Sequence, residues 1–301
     1  MNTVKTGGVQ MVPVDDRFQV WTKRIGGGPT TMLTLHGGPG CTHEYFECFE
    51  DFLPPEGVQL IYYDQLGSAY SDQPDDPALW TVERFREEVE QVRSALGLEK
   101  FYLYGHSWGG MLAIEYALNY QSHLKGLIIS NMTASIASYV AYINKLRGQL
   151  SAESIGILER FEASGEYTAP EYEKVMFGEI YSTHLCRVTP WPEPMVRMFL
   201  HMNQKVYNTM QGPNEFVITG TFKDWDRWSE LKNINVPTLL SVGRFDTMSV
   251  ADIERMGNLI PNARVAICEQ GSHCSMYDDQ EHYFADLIRF IRDVEAGSFA
   301  G

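Results

Sequence analysis

Apolar positions in the first 130 residues fall in short runs, separated by polar or glycine-bearing breaks. Val9–Val14 and Phe18–Ile25 read as two strands, with Asp15-Asp16 as the turn between them. Gly26-Gly27-Gly28-Pro29 ends the second run before a third, Thr31–Leu35. Val58–Tyr63, Phe101–Tyr104 and Leu127–Ser130 are further candidates for buried strands. Val82–Leu96 differs, because Val82, Phe85, Val89, Val92 and Leu96 recur at helical spacing and Gly97 closes the pattern. Met111–Tyr120 reads as the helix that follows the Phe101–Tyr104 strand. From about residue 133 to 225 strand-like runs vanish, and longer helical patterns rich in Glu, Met, Tyr and Trp take over, interrupted by the loop Thr189-Pro190-Trp191-Pro192-Glu193-Pro194. The first rhythm then resumes, with Thr238–Val242 as strand, Val250–Leu259 as helix, Arg264–Cys268 as strand and Tyr283–Val294 as a closing helix. Strand–helix alternation broken by a helical stretch predicts a mostly parallel sheet with an insertion. The expected division is a core of 1–132 and 226–301 and a helical cap of 133–225. There is no internal repeat, and low complexity is confined to the tail Gly297-Ser298-Phe299-Ala300-Gly301.

Composition narrows the class without naming a substrate. The 301 residues suffice for one large α/β domain with an inserted subdomain. Apolar and charged fractions of 44% and 21% are ordinary for a globular chain. A formal net charge of -15 argues against a nucleic-acid partner and against an anionic membrane surface. The N-terminal segment lacks an apolar signal core, and no long apolar stretch occurs anywhere, so the expected location is the cytoplasm. Cys41, Cys48, Cys186, Cys268 and Cys274 form no CxxC pair and read as reduced thiols, with Cys274 as a buried, inert one. Asn131-Met132-Thr133 fits a glycosylation sequon, which has no meaning without a secretory route.

The chemistry-bearing positions lie at the ends of the predicted strands. Gly105-His106-Ser107-Trp108-Gly109 is a G-x-S-x-G pattern directly after a strand, where two glycines allow a sharp turn that exposes the serine. That pattern alone is cheap, arising by chance roughly once in ten chains of this length. His36-Gly37-Gly38-Pro39-Gly40 follows the third strand, where a backbone N–H from Gly37 or Gly38 can join that of Trp108 as an oxyanion hole. Asp246 follows the Thr238–Val242 strand, and His273 lies in the loop after the last strand. The order Ser107, Asp246, His273 is the one expected of α/β-hydrolases. His273 would accept the Ser107 proton, with an apparent pKa near ~6.5, and Asp246 would fix its tautomer. No metal site and no cofactor is called for. Asp64 reads as a structural residue near the oxyanion loop.

HGGPG at 36–40, Tyr63-Asp64-Gln65-Leu66-Gly67 with Ser71, GHSWGG at 105–110 and Gly212-Pro213-Asn214-Glu215-Phe216 together resemble the proline iminopeptidase group of α/β-hydrolases, which includes related L-amino acid amidases. The resemblance covers nearly the whole chain. It implies an α/β fold of the α/β-hydrolase type, a mostly parallel eight-stranded sheet with an inserted helical cap. It also implies release of an N-terminal residue, proline or another small or apolar one, from a small peptide or amino-acid amide through an acyl-enzyme. Glu215 takes by resemblance the role of anchor for the free amine, a part that suits a carboxylate in a water-poor pocket. Two departures bear on specificity. Thr247 stands where relatives carry a second acid, and Ser68-Ala69-Tyr70 follows Gly67 where a glycine-bearing turn is usual. Strict proline preference is thereby weakened, and a carboxylesterase or an amidase without proline preference stays open beside it. A ligand-sensing hydrolase fold without turnover is the third reading, which the complete Ser, Asp and His set disfavours. Trp191, Phe199, Tyr207, Phe216, Trp225 and Trp228 are candidate pocket aromatics, of which one or two are expected at the substrate. The oligomeric state is left open by the sequence.

Overall fold

The computed structural model describes residues 6–301. Eight strands form one sheet: β1 (Val9–Val14), β2 (Phe18–Ile25), β3 (Thr30–Leu35), β4 (Val58–Tyr63), β5 (Phe101–His106), β6 (Leu124–Ser130), β7 (Thr238–Gly243) and β8 (Ala263–Cys268). Their spatial order is β1-β2-β4-β3-β5-β6-β7-β8. β1 pairs antiparallel with β2, and β2 with β4; every pairing from β4 through β8 is parallel. The alternating burial of β1 suits an edge strand, whereas β5 and β7 are buried at every residue because helices cover the parallel part of the sheet.

Helix α1 (Val82–Ala95) buries Phe85, Val89 and Val92, and the Thr81 hydroxyl caps it by accepting from the Arg84 amide. α2 (Trp108–Tyr120) packs on β5 and β6. It begins three residues earlier than the sequence pattern predicts, because Gly109 and Gly110 read as a break but sit in the first turn, pressed against the sheet. Between β6 and β7 come α3 (Ile136–Arg147), α4 (Ala152–Ser164) and α5 (Pro170–Val175). A π-helical turn at Met176–Tyr181 then leads into α6 (Ser182–His184), followed by α7 (Glu193–His201) and α8 (Gln204–Met210). The two ends of this helical insertion are tied together. Ser135 bridges Asp226, the Ile136 amide donates to the Trp225 carbonyl at 3.0 Å, and the Arg227 amide donates to that of Ala134 at 2.8 Å. α9 (Val250–Leu259) packs on β7 and β8, and α10 (Ser275–Asp278) leads into α11 (Gln280–Glu295).

The strand order places a functional opening. From β3 the chain moves outward to β4 and then returns past β3 to β5, so the loops leaving β3 and β5 diverge at the switch point of the sheet. Crevices outside the carboxyl ends of strands at such a point are where open α/β sheets bind ligands. No helix among the described residues is long and apolar enough to cross a membrane. All five cysteines are free, and four of them, Cys274 included, are buried.

Candidate active site

Ser107 occupies the tight turn between β5 and α2 with φ 55° and ψ −125°, backbone angles that a residue with a Cβ rarely adopts. Such a conformation costs about 1–3 kcal/mol and persists only where its surroundings enforce it. Here the enforcement is steric and hydrogen-bonded. A methyl group on Gly105 would lie 2.0 Å from the Gly109 carbonyl oxygen, and one on Gly109 would lie 2.0 Å from that of Leu35. The Ser107 amide donates to the Ser130 carbonyl at 3.0 Å, and its own carbonyl accepts from the Gly110 amide at 2.7 Å. Both glycines of the pattern are thus required by close backbone contact.

Asp246 and His273 are both buried, and His273 Nδ1 lies 2.8 Å from Asp246 Oδ1. That bond places the proton on Nδ1 and leaves Nε2 as the acceptor. Burial is the largest influence on the imidazole and lowers its pKa. The Asp246 charge and hydrogen bond, with the field of Glu215, outweigh it and raise the value above the ordinary 6.5. The expectation of an unperturbed histidine is corrected accordingly. Asp246 is itself held on both oxygens: Oδ1 accepts from the Met248 amide at 3.1 Å and Oδ2 from Asn131 Nδ2 at 2.6 Å. Asn131 is fully buried with φ 56°, and its Nδ2 also reaches the Ser272 carbonyl at 3.2 Å. In the sequence it stood out only as a sequon. The informative signal was its place directly after β6, matching that of Ser107 after β5.

The oxyanion loop and the histidine loop are linked through one polar chain. The Gly37 amide donates to Tyr45 Oη at 2.8 Å, and Tyr45 Oη lies 3.0 Å from His106 Nδ1. Since the tyrosine accepts from Gly37, its proton goes to Nδ1, and His106 Nε2–H then donates to the His273 carbonyl at 2.8 Å. Burial pulls His106 down to about 3, so the ring is neutral and this tautomer is maintained. The Gly37 N–H is therefore spent on Tyr45, and the free donors at this end are those of Gly38 and of Trp108 in the first turn of α2. On its far side the histidine loop leans on the insertion. The His273 amide donates to the His184 carbonyl at 2.9 Å and that of Cys274 to Leu185 at 2.8 Å.

Asp64 stands apart from these groups. It is buried, and its Oδ1 accepts from the amide and Nδ1 of His43, at 2.9 and 2.8 Å, below a ring stacked on Trp21. It fastens the segment after the oxyanion loop to the sheet.

Ser107, His273, Gly38 and Glu215 line a single cavity of about 430 Å³. Glu215 is half-buried in a turn closed by the bridge between Asn214 and Val217. Tyr207 Oη donates to its Oε1 at 2.5 Å, and Tyr139 Oη lies 3.0 Å from its Oε2 and 2.7 Å from its carbonyl. Two tyrosines thus aim the carboxylate, and neither carries a charge that neutralises it. Thr247, buried beside Asp246 with its hydroxyl 3.3 Å from Oδ1, adds no second acid. Of the six aromatics marked in the sequence, Phe199 and Tyr207 line the cavity; Trp191, Phe216, Trp225 and Trp228 do not. The rest of the wall, including Tyr172, Met176, Tyr181, Met195 and Met198, carries no sequence signal because it is assembled from two helical stretches that no spacing connects. Among the described residues no group of three or more His, Cys, Asp or Glu is placed to hold a metal ion.

The family model described as alpha/beta hydrolase fold matches residues 30–280. The chain is 44% identical to a proline iminopeptidase of Elizabethkingia meningoseptica, over 96% of this chain and all of that protein. A proline iminopeptidase of Saccharolobus solfataricus is 39% identical over 90% of this chain and 87% of its own length. The crystal structure of a proline iminopeptidase from Mycobacterium smegmatis superimposes with a TM-score of 0.89 at 32% identity, covering 96% of this chain and 99% of that one.

Proposed function

The chain belongs to the proline iminopeptidase family of α/β-hydrolases, and from that membership we propose that it is a serine aminopeptidase releasing N-terminal proline from small peptides and amides. The observation that carries the reading is one cavity holding both a strained serine beside a buried Asp–His pair and an unneutralised carboxylate. An esterase has use for the first set and none for Glu215.

In this reading Ser107 Oγ attacks the carbonyl of the N-terminal residue while His273 Nε2 takes its proton. Negative charge on the tetrahedral oxygen is met by the N–H groups of Gly38 and Trp108, the latter at the positive end of the 13-residue α2. Gly37 serves indirectly, by holding the loop through Tyr45. His273 then delivers the proton to the departing amine, leaving proline esterified to Ser107, and a water activated by the same imidazole releases it. Asp246 keeps Nδ1–H in place and stabilises the imidazolium, and Asn131 keeps Asp246 in place. Glu215 binds the ammonium of the free N-terminus and thereby excludes substrates whose amine is blocked. Residues 133–225 act as the cap that carries this anchor over the core. With Thr247 uncharged, the anchor rests on one acid, which favours tolerance of small or apolar N-terminal residues besides proline.

The test is L-proline 4-nitroanilide hydrolysis together with labelling by a fluorophosphonate. The wild-type protein is expected to turn over the anilide and to carry the label on Ser107 by peptide mass spectrometry. A label elsewhere, or turnover by Ser107→Ala at the wild-type rate, removes the assignment.

A further inference from the structure

α7 shows three stripes. Met195, Met198 and Phe199, followed by Met202, face the cavity at helical spacing. Val196 and Leu200 face solvent. Glu193, Arg197 and His201 form a third stripe, turned toward the 3₁₀ segment His43–Asp51 of the core. Arg197 binds Glu47 with both terminal nitrogens, at 2.9 and 2.8 Å, reaches Glu44 at 3.2 Å and holds Glu193 at 2.9–3.0 Å. Hydrogen bonds to Glu47 and then to Glu193 hold the guanidinium well above its ordinary pKa. Glu44 is fully buried; it also takes the Thr42 hydroxyl at 2.8 Å and His201 Nδ1 at 2.9 Å.

A buried carboxylate is a poor way to gain stability, since its desolvation offsets most of the attraction. What a bidentate arginine does supply is a fixed geometry. The geometry matters here because the stripe facing the cavity is mostly methionine, a side chain too flexible to hold a shape by itself. A cavity of about 430 Å³ is also in the range that takes ligands well above the size of one proline.

We infer that Arg197 is a positioning residue: its clasp on Glu44 and Glu47 fixes α7 so that Met195, Met198 and Phe199 form a receiving wall for a bulky apolar group of the substrate outside its N-terminal residue. The substrate class is then an aminoacyl amide or peptide whose leaving group is large and apolar. The inference deepens the peptidase reading and rests on it for the identity of the substrate, while the role of the clasp does not.

The experiment measures kcat and KM separately for L-prolinamide and L-proline 2-naphthylamide. Arg197→Ala is expected to raise KM for the naphthylamide about tenfold, with kcat within about threefold and KM for prolinamide within about twofold. Glu47→Gln strands no buried charge, so it serves as the readout should Arg197→Ala fail to fold, and it is expected to move the naphthylamide KM the same way by about threefold. Arg197→Lys, which keeps the charge and loses the fork, is expected to fall between wild type and Arg197→Ala. Equal KM changes for the small and large amides, or none in a folded Glu47→Gln protein, overturn the inference. If the wild-type protein cleaves neither amide, the peptidase reading has failed. The same variants are then compared on phenyl acetate and 2-naphthyl acetate, where a selective KM rise for the naphthyl ester upholds the clasp and its absence removes it.

Discussion

Ser107, Asn131 and Asp246 stand just beyond the ends of β5, β6 and β7, and His273 stands in the loop that leaves β8, whereas Glu215, Met198 and Phe199 are carried by helices and turns of the insertion. The floor of the cavity is locked by the sheet. Asn131, Asp246 and His273 are buried, the serine is held at a strained φ by backbone contacts, and the aspartate is fastened on both oxygens. The wall is held by side chains: two tyrosine hydroxyls on Glu215, and an arginine clasp on α7. The difference matches two tasks. Proton transfer tolerates little displacement, so the reacting groups sit on rigid elements. Selection among substrates depends on the surface the ligand meets, which short helices can vary without disturbing the sheet.

The comparison predicts that damage to the floor lowers kcat for every substrate, while damage to the wall changes which substrates are taken. The largest effect is expected from Ser107→Ala, a loss of at least ~10⁴-fold in kcat on amides and esters alike. Selective loss on one class would break the distinction. Asn131→Ala should lower kcat roughly 10- to 100-fold, the rate equivalent of one charge-assisted hydrogen bond of about 1.5–3 kcal/mol, with little change in KM. An effect on KM alone would move Asn131 from the floor to the wall. The smallest effect joins the two regions. His273 must be neutral to accept a proton, and its pKa lies above 6.5, so activity rises with pH along a limb above that value and is lost below it. Glu215 is one of the negative charges that raise it, so Glu215→Gln should shift the limb to lower pH when a neutral ester is the substrate. A limb that stays in place would show that the wall does not reach the floor electrostatically.

The two regions were also unequally legible in the sequence. All eight strands were readable as short apolar runs, and Ser107, Asp246 and His273 each follow one of them, which is why chain order sufficed to collect them. The pattern predicts a late start for α2 because Gly109 and Gly110 have low helix propensity, a preference that tight packing on the sheet overrides. Asn131 is hard to find from its motif, which points to the cell exterior, while its position after β6 points to the site. The sequence offers the Gly37 amide as an oxyanion donor, and only the position of Tyr45, eight residues on, shows that this N–H is already taken. The wall was mostly illegible. Tyr172 and Tyr181 lie on the continuous run from α5 through the π-helical turn, Met198 lies on α7, and no spacing links the two stretches; the charged stripe of α7 reads as solvent-exposed until Glu44 is seen beneath it.

The most direct test of the account is the ratio of kcat/KM for L-proline 4-nitroanilide over its N-acetyl derivative, in the wild-type protein and in Glu215→Gln. The ratio is expected to be large in wild type and to fall roughly a hundredfold in the variant, chiefly through loss on the free-amine substrate. A ratio that is the same in both proteins would contradict it, leaving the floor of a serine hydrolase without a wall that reads an N-terminus.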